Sequence, residues 1–144
     1  MSNKIHLQWS GEHRFEAGRP NGQTIHIDGS GATGPSPVDT LLSALAGCAA
    51  VDIVDILAKR RTPATSLTID VVAERVDGTP RRLKHVMLNV AITGPGIERQ
   101  HAERAIDLAV NKYCSVRDSL REDIPVEWTL TLHDTAVAAT PDPV

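Results

Sequence analysis

PSPVDTLLSALAGCAAVDIVDILAKRR, residues 35–61, predicts one long helix with a cysteine at its middle. Ser36 suits the N-cap, and Pro37 then falls at the first helical position, where its missing N–H leaves no hydrogen bond unmade. Asp39 follows the cap at the spacing of a capping box, with aspartate in place of glutamate. Pro63 ends the pattern, so the predicted helix is about 37 Å long, enough to cross a small domain.

Apolar side chains cover most of the circumference of this helix, which is typical of a central helix. One stripe is made of large residues, and a second, narrower face is made of small ones. The large stripe contains Leu41, Leu42, Leu45, Ile53, Ile56 and Leu57, and the small face contains Ala44, Gly47, Cys48, Ala49 and Val51. Ser43, Asp52 and Asp55 interrupt the apolar run, so we do not expect a membrane span.

Length and composition predict one soluble domain over residues 1–134, followed by a loose C-terminal tail, residues 135–144. Of the 144 residues, 41% are hydrophobic and only 3% are aromatic, so aliphatic side chains must fill the core. The net charge of -3, without a basic run beside aromatic residues, argues against nucleic acid as a partner. The N-terminus shows no apolar signal core, so a cytoplasmic location is expected.

The remaining patterns predict the order βββ–α–ββ–α–α–β. Three short alternating runs precede the long helix, and two longer ones, SLTIDVVAERV and RLKHVMLNVAI, follow it. A second helix is predicted from about Ile97 to Tyr113, then a short third helix capped by Ser115, and PVEWTLTLH as the last strand. Strands that come in hairpins predict an α+β fold with antiparallel sheet.

The two cysteines, Cys48 and Cys114, are the main candidates for chemistry. In a reducing compartment a structural disulfide is not expected, so they are either buried core residues or a working pair. Cys48 lies too far from either helix end for the dipole to stabilise a thiolate, and needs a cation from elsewhere in the fold. Asp52, one turn later, would disfavour a thiolate unless it held an arginine. Cys114 precedes the short third helix, whose unpaired N–H groups could stabilise its sulfur.

No metal or phosphate motif is apparent, and no bound cofactor is expected. The six histidines contain no i,i+4 pair and no HExxH motif. The segment GSGATG, residues 29–34, matches neither GxGxxG nor a P-loop.

The stretch ALAGC within the long helix and the later segment NKYCSVRDSL resemble the OsmC/Ohr family, over about residues 3–133. This resemblance implies an OsmC-like fold, with antiparallel sheets wrapped around the long central helices of an intertwined homodimer. It also implies thiol-dependent reduction of organic hydroperoxides, with Cys48 as the peroxidatic and Cys114 as the resolving cysteine. Cys48 would form a sulfenic acid and then a disulfide with Cys114, which an external dithiol such as a lipoyl protein would reduce.

The resemblance is incomplete around the activating group. In the family a glutamate pairs with the arginine that activates the first cysteine, and Val38 stands at that glutamate's position here. The arginine would be Arg14 or Arg19, and Asp52 or Asp55 would take over the orienting role. Ser115 also replaces the usual proline. Two other functions stay open: an OsmC-fold protein that only binds an apolar small molecule, and a disulfide sensor that acts on another protein.

Overall fold

The computed structural model describes residues 1–134 and divides the chain into two compact units, one of residues 1–44 and one that starts at Leu45. The single domain predicted over residues 1–134 stays a prediction. The predicted tail, residues 135–144, lies outside the described residues.

The first unit contains an antiparallel sheet of three strands, β1 (His6–Gly11), β2 (Arg14–Gly18) and β3 (Thr24–Asp28), in that order. In this sheet Ala17 of β2 pairs with Leu7 of β1 on one side and with Ile25 of β3 on the other. The apolar residues of the three strands are therefore cross-strand neighbours on the same face, as the alternating sequence pattern predicts. The apolar side chains of the first strand are exposed, Trp9 by 65%.

The loop after β3 is ordered around the carboxylate of Asp28, which is buried. Ser30 and Thr33 each donate to it from both the backbone N–H and the hydroxyl, over 2.7–2.9 Å. These bonds, with the Thr33 hydroxyl foremost, hold the pKa of Asp28 well below its usual value. The GSGATG segment therefore forms a turn closed on an internal acceptor, and this turn leads into the long helix.

Helix α1 spans Pro37–Lys59 and begins at the predicted residue. The capping box forms, because Asp39 N–H donates to Ser36 Oγ and Ser36 N–H donates to the Asp39 carboxylate, both over 3.1 Å. The helix ends two residues earlier than predicted, and Arg61 follows in the left-handed region with a φ of 63°. The prediction of a long capped helix is confirmed.

One stripe of α1 is buried, and other apolar side chains of the helix are exposed. The buried residues recur every fourth position and are Leu45, Ala49, Ile53 and Leu57. Val51 is 61% exposed and Val54 is 45% exposed. By length and composition alone α1 could cross a membrane: its most apolar window has a mean hydropathy of 2.0, and 22% of that window is buried.

The second unit contains a sheet of β4 (Ser66–Arg75), β5 (Leu83–Thr93) and β6 (Val126–His133), in that order. Strands β4 and β5 form the predicted antiparallel hairpin. Strand β6 pairs with β5 in parallel, so the antiparallel prediction fails for this pair. The physical reason is the connection, because the helices between β5 and β6 carry the chain back to the end where β5 began. The α+β fold class itself is confirmed.

The predicted second helix is divided into two parts. Helix α2 spans Arg99–Leu108, and residues Ala109–Tyr113 continue it as a π-helical turn. Helix α3 is the short segment Ser115–Asp118. Tyr113, which a regular α-helix continuing from Ile106 and Val110 would place on the buried face, is 50% exposed. The wider π turn explains this difference, since it rotates the last positions away from the 3.6-residue periodicity on which the prediction relied.

Candidate functional site: the Cys48–Cys114 thiol pair

Cys48 is held at the middle of α1, in the second unit. Its neighbour Ala49 is fully buried, whereas Cys48 itself is half-buried. The thiol therefore lies at the boundary between the buried stripe and the accessible side of the helix. A sulfur in this position is anchored by a rigid element and still within reach of a small molecule.

Cys114 lies in the same unit, just after the π-helical turn, and is only 3% exposed. Its sulfur caps α3, because the backbone N–H of Arg117 donates to Sγ over 3.3 Å. The thiol also lies 4.0 Å from the carbonyl oxygen of Leu45. The predicted cap was Ser115, and this is corrected: the side chain one residue earlier takes the N-cap position, and Ser115 is the first helical residue.

The two thiols are free and neighbour each other in space, although 66 residues separate them in sequence. Burial raises the pKa of Cys114, and the neighbouring Cys48 raises it further, against the opposing effect of the N–H groups of Arg117 and Val116. Cys114 therefore keeps its proton at neutral pH and is placed to donate it. The more accessible sulfur of the pair belongs to Cys48.

Three charged residues, Arg14, Arg19 and Asp52, were predicted to act on Cys48. Arg14 lies in the first unit, with Nη2 3.7 Å from Glu12 Oε1, and Arg19 is exposed beyond the end of β2. Asp52 is half-buried on α1 and forms no ion pair within residues 1–134. The roles suggested for these three residues stay predictions.

Sequence reasoning missed Arg117. Besides its N–H contact with Cys114, its guanidinium donates to the carbonyl oxygens of Arg121 and Ile124, over 3.2 and 2.8 Å. The side chain thus fixes the loop after α3, and the backbone of the same residue fixes the sulfur. No sequence pattern marks this role, since any residue at the third position after a capping side chain can supply the N–H.

Among the described residues, no cluster of three or more histidine, cysteine or acidic side chains could hold a metal ion. The site is defined by its two sulfurs, one on a rigid helix and one buried at the cap of a short helix. The α+β fold and the pair of neighbouring thiols together define a class of proteins whose candidate reactions are those of cysteine thiols.

The comparisons with known proteins identify the family. The model of the family described as OsmC-like protein matches residues 29–129, and the chain belongs to this family. Protein YhfA of Escherichia coli strain K12 is 33% identical over 121 residues, which are 83% of this chain and 90% of that protein. The resemblance predicted from the two cysteine segments is thereby confirmed.

Solved structures show the same fold. An OsmC-like protein from Mycoplasma pneumoniae matches with a TM-score of 0.78 and 18% identity, over 92% of this chain and 98% of that one. The organic hydroperoxide resistance protein OhrB of Bacillus subtilis matches with a TM-score of 0.60 and 14% identity, over 91% and 98%. Proteins named for hydroperoxide resistance are therefore among the structural relatives of this chain.

Proposed function

We propose that this chain is a thiol peroxidase that reduces organic hydroperoxides. The observation that carries the proposal is the pair of neighbouring free thiols, Cys48 half-buried on α1 and Cys114 buried at the cap of α3. A buried thiol that keeps its proton, beside a more accessible sulfur, supplies a nucleophile and a proton donor in one place. The structural relatives named for organic hydroperoxide resistance support the same substrate class.

The first step is attack by the Cys48 thiolate on the distal oxygen of the peroxide. The O–O bond breaks, a sulfenic acid forms on Cys48, and the leaving alkoxide takes the proton of the Cys114 thiol to become an alcohol. In this step the peroxide is reduced and Cys48 is oxidised. The raised pKa of Cys114 suits this role, because the group holds its proton until a stronger base appears beside it.

The second step uses the thiolate left on Cys114. It attacks the sulfur of the sulfenic acid, an S–S bond forms, and hydroxide leaves and is protonated by solvent. An external dithiol, such as a protein-bound lipoyl group, then reduces the disulfide by thiol–disulfide exchange. No bound cofactor is needed, and we propose that the protein works in the reducing cytoplasm.

The disulfide tests this sequence of steps directly. Reduced protein mixed with one equivalent of cumene hydroperoxide is expected to lose both thiols and to yield a peptide pair joined through Cys48 and Cys114. Peptide mapping by mass spectrometry and thiol counting measure this, and dithiothreitol should restore both thiols. Two thiols that persist while the peroxide also persists would refute the proposed function.

We also propose that two chains associate as a homodimer through the exposed apolar side of α1. Val51 and Val54 of this helix are 61% and 45% exposed, which is unusual for large side chains in so apolar an element. A lipid bilayer is a poorer cover than protein, because Asp52 and Asp55 on the same helix would each cost about 2.5–3.5 kcal/mol at the bilayer centre.

A charge on this face is expected to separate the two chains. Val51→Glu should convert a dimer into a monomer at micromolar concentration, since an unpaired carboxylate buried between helices is strongly unfavourable. Light scattering after size-exclusion chromatography measures the mass. Val72→Glu is the matched control, since Val72 is 58% exposed on β4 and not on α1. A wild-type chain that elutes as a monomer would contradict the proposed homodimer.

A further inference from the structure

A groove lies between the last turns of α1 and one face of α2, within the second unit. Its walls are the residues at positions i, i+3 and i+4 on α1 and at i, i+3, i+4 and i+7 on α2, which share one side of each helix. The lining residues are Ile56, Lys59, Arg60, His101, Arg104, Ala105 and Leu108. Ile56 follows Cys48 by eight residues, or about 12 Å along the helix. The groove is therefore separate from the thiol pair.

The groove combines an apolar floor with a cationic rim. Ala105 is fully buried and Leu108 is half-buried, so the floor is aliphatic. Lys59 and Arg104 are exposed at the rim and have no ion-pair partner in the part of the chain that the structure describes. A chain with a net charge of -3 thus gathers unpaired positive charge at one place.

The third cation of the groove is Arg60, and His101 holds its guanidinium in place. Arg60 Nη2 lies 2.8 Å from His101 Nε2, and a guanidinium can only donate, so Nε2 is the acceptor and carries no proton. The ring proton is then on Nδ1, which lies 3.3 Å from Glu98 Oε2. His101 orients the Arg60 guanidinium, and its other ring nitrogen faces Glu98, the residue that precedes α2.

The C-terminal dipole of α1 does not account for the whole rim. Cations in a last helical turn are stabilising, which explains Lys59 and Arg60 without any ligand. Arg104 lies in the interior of α2, where that argument does not apply, yet it lines the same groove. The groove is therefore lined by positively charged side chains of both helices, Lys59 of α1 and Arg104 of α2, around one aliphatic floor.

From this arrangement we infer that the groove binds a short-chain aliphatic carboxylate. The carboxylate lies among Lys59, Arg60 and Arg104, where a guanidinium fork can hold both oxygens, and the alkyl chain lies on the floor. The cavity is about 220 Å³, smaller than the roughly 300 Å³ at which pockets for drug-sized ligands begin, so the ligand is short. This site is independent of the thiol chemistry.

Isothermal titration calorimetry with hexanoate tests the inference on the full-length reduced protein. We expect hexanoate to bind saturably and three control compounds to bind at least about tenfold more weakly. Acetate lacks the alkyl chain, hexanol lacks the charge, and hexylamine carries a positive charge in place of the negative one. Acetate that binds as tightly as hexanoate would show an adventitious anion contact and would overturn the proposal.

Variants locate the site. Arg104→Gln and Lys59→Gln are each expected to weaken hexanoate binding about tenfold, whereas the exposed Arg75→Gln on β4 should leave it unchanged. Changes in amide NMR chemical shifts on hexanoate addition, confined to α2 and the end of α1, would give a second readout that does not rely on the heat of binding. No binding, or binding that Arg104→Gln and Lys59→Gln leave intact, would overturn the proposal. Cys48→Ser should bind hexanoate normally, so this result is separable from any result on peroxide reduction.

Discussion

Cys48→Ser is expected to lower the rate of cumene hydroperoxide consumption in the presence of dithiothreitol by at least about a thousandfold. A serine hydroxyl is not ionised at neutral pH and cannot form a sulfenic acid, so the first step of the proposed cycle has no nucleophile. Because serine is nearly the same size as cysteine and Cys48 is only half-buried, the fold should persist. Peroxide loss measured by ferrous oxidation, with circular dichroism as the control for folding, gives the comparison.

Cys114→Ser is the matched control for this experiment. It keeps the nucleophile and lacks the second sulfur, so in the absence of dithiothreitol one equivalent of peroxide should still be consumed and a sulfenic acid on Cys48 should accumulate, detectable by dimedone labelling. Equal turnover by wild type and Cys48→Ser would refute the peroxidase and favour a protein that only binds a small molecule. Mixed disulfides with other proteins in the Cys114→Ser background would instead favour the redox sensor.

Ile53→Ala is expected to lower the free energy of unfolding by about 2–5 kcal/mol, because it removes three methyl or methylene groups from a closely packed site. Ile53 is fully buried in the stripe of α1 that also carries Ala49. The cavity left by the substitution would therefore be enclosed by protein and not open to solvent. Urea denaturation at a fixed protein concentration measures the change in midpoint.

Two substitutions serve as controls for this effect. Ile53→Val removes one methylene and should cost only about 0.5–1.5 kcal/mol. Val54→Ala changes the next residue, which is 45% exposed, and should cost less than Ile53→Ala. If Ile53→Ala were as mild as Val54→Ala, the assignment of the buried stripe of α1 would be wrong.

The long helix was predictable because its signals are local. Ser36, Pro37 and Asp39 lie within four residues, and the hydrogen bonds they predict need no information from the rest of the fold. The π-helical turn before Cys114 and the parallel pairing of β5 with β6 were not predictable in this way. Both depend on how the chain packs after the helices form, and no residue type marks either one.

The candidate site was predictable only through the family resemblance. Nothing in the spacing of Cys48 and Cys114 shows that their sulfurs meet, because a separation of 66 residues fixes no distance in space. A contact between the Cys114 sulfur and the N–H groups of α3 was predicted, but the N-cap was assigned to Ser115, since cysteine is not among the preferred capping residues. The pairing of Arg60 with His101 joins two helices across 41 residues and has no sequence signature either.

The parallel pairing of β5 with β6 has a consequence for how the chain reaches its native state. Strands β4 and β5 are adjacent in sequence, joined by residues 76–82, and can pair early at a small cost in chain entropy. Strand β6 pairs across about 40 positions, Val86 with Val126 for example, so it cannot add until the helices between have condensed. Because long-range pairings of this kind form slowly, we expect the last strand to be the late step in folding. During synthesis, the growing chain would leave the ribosome with one edge of this sheet still open.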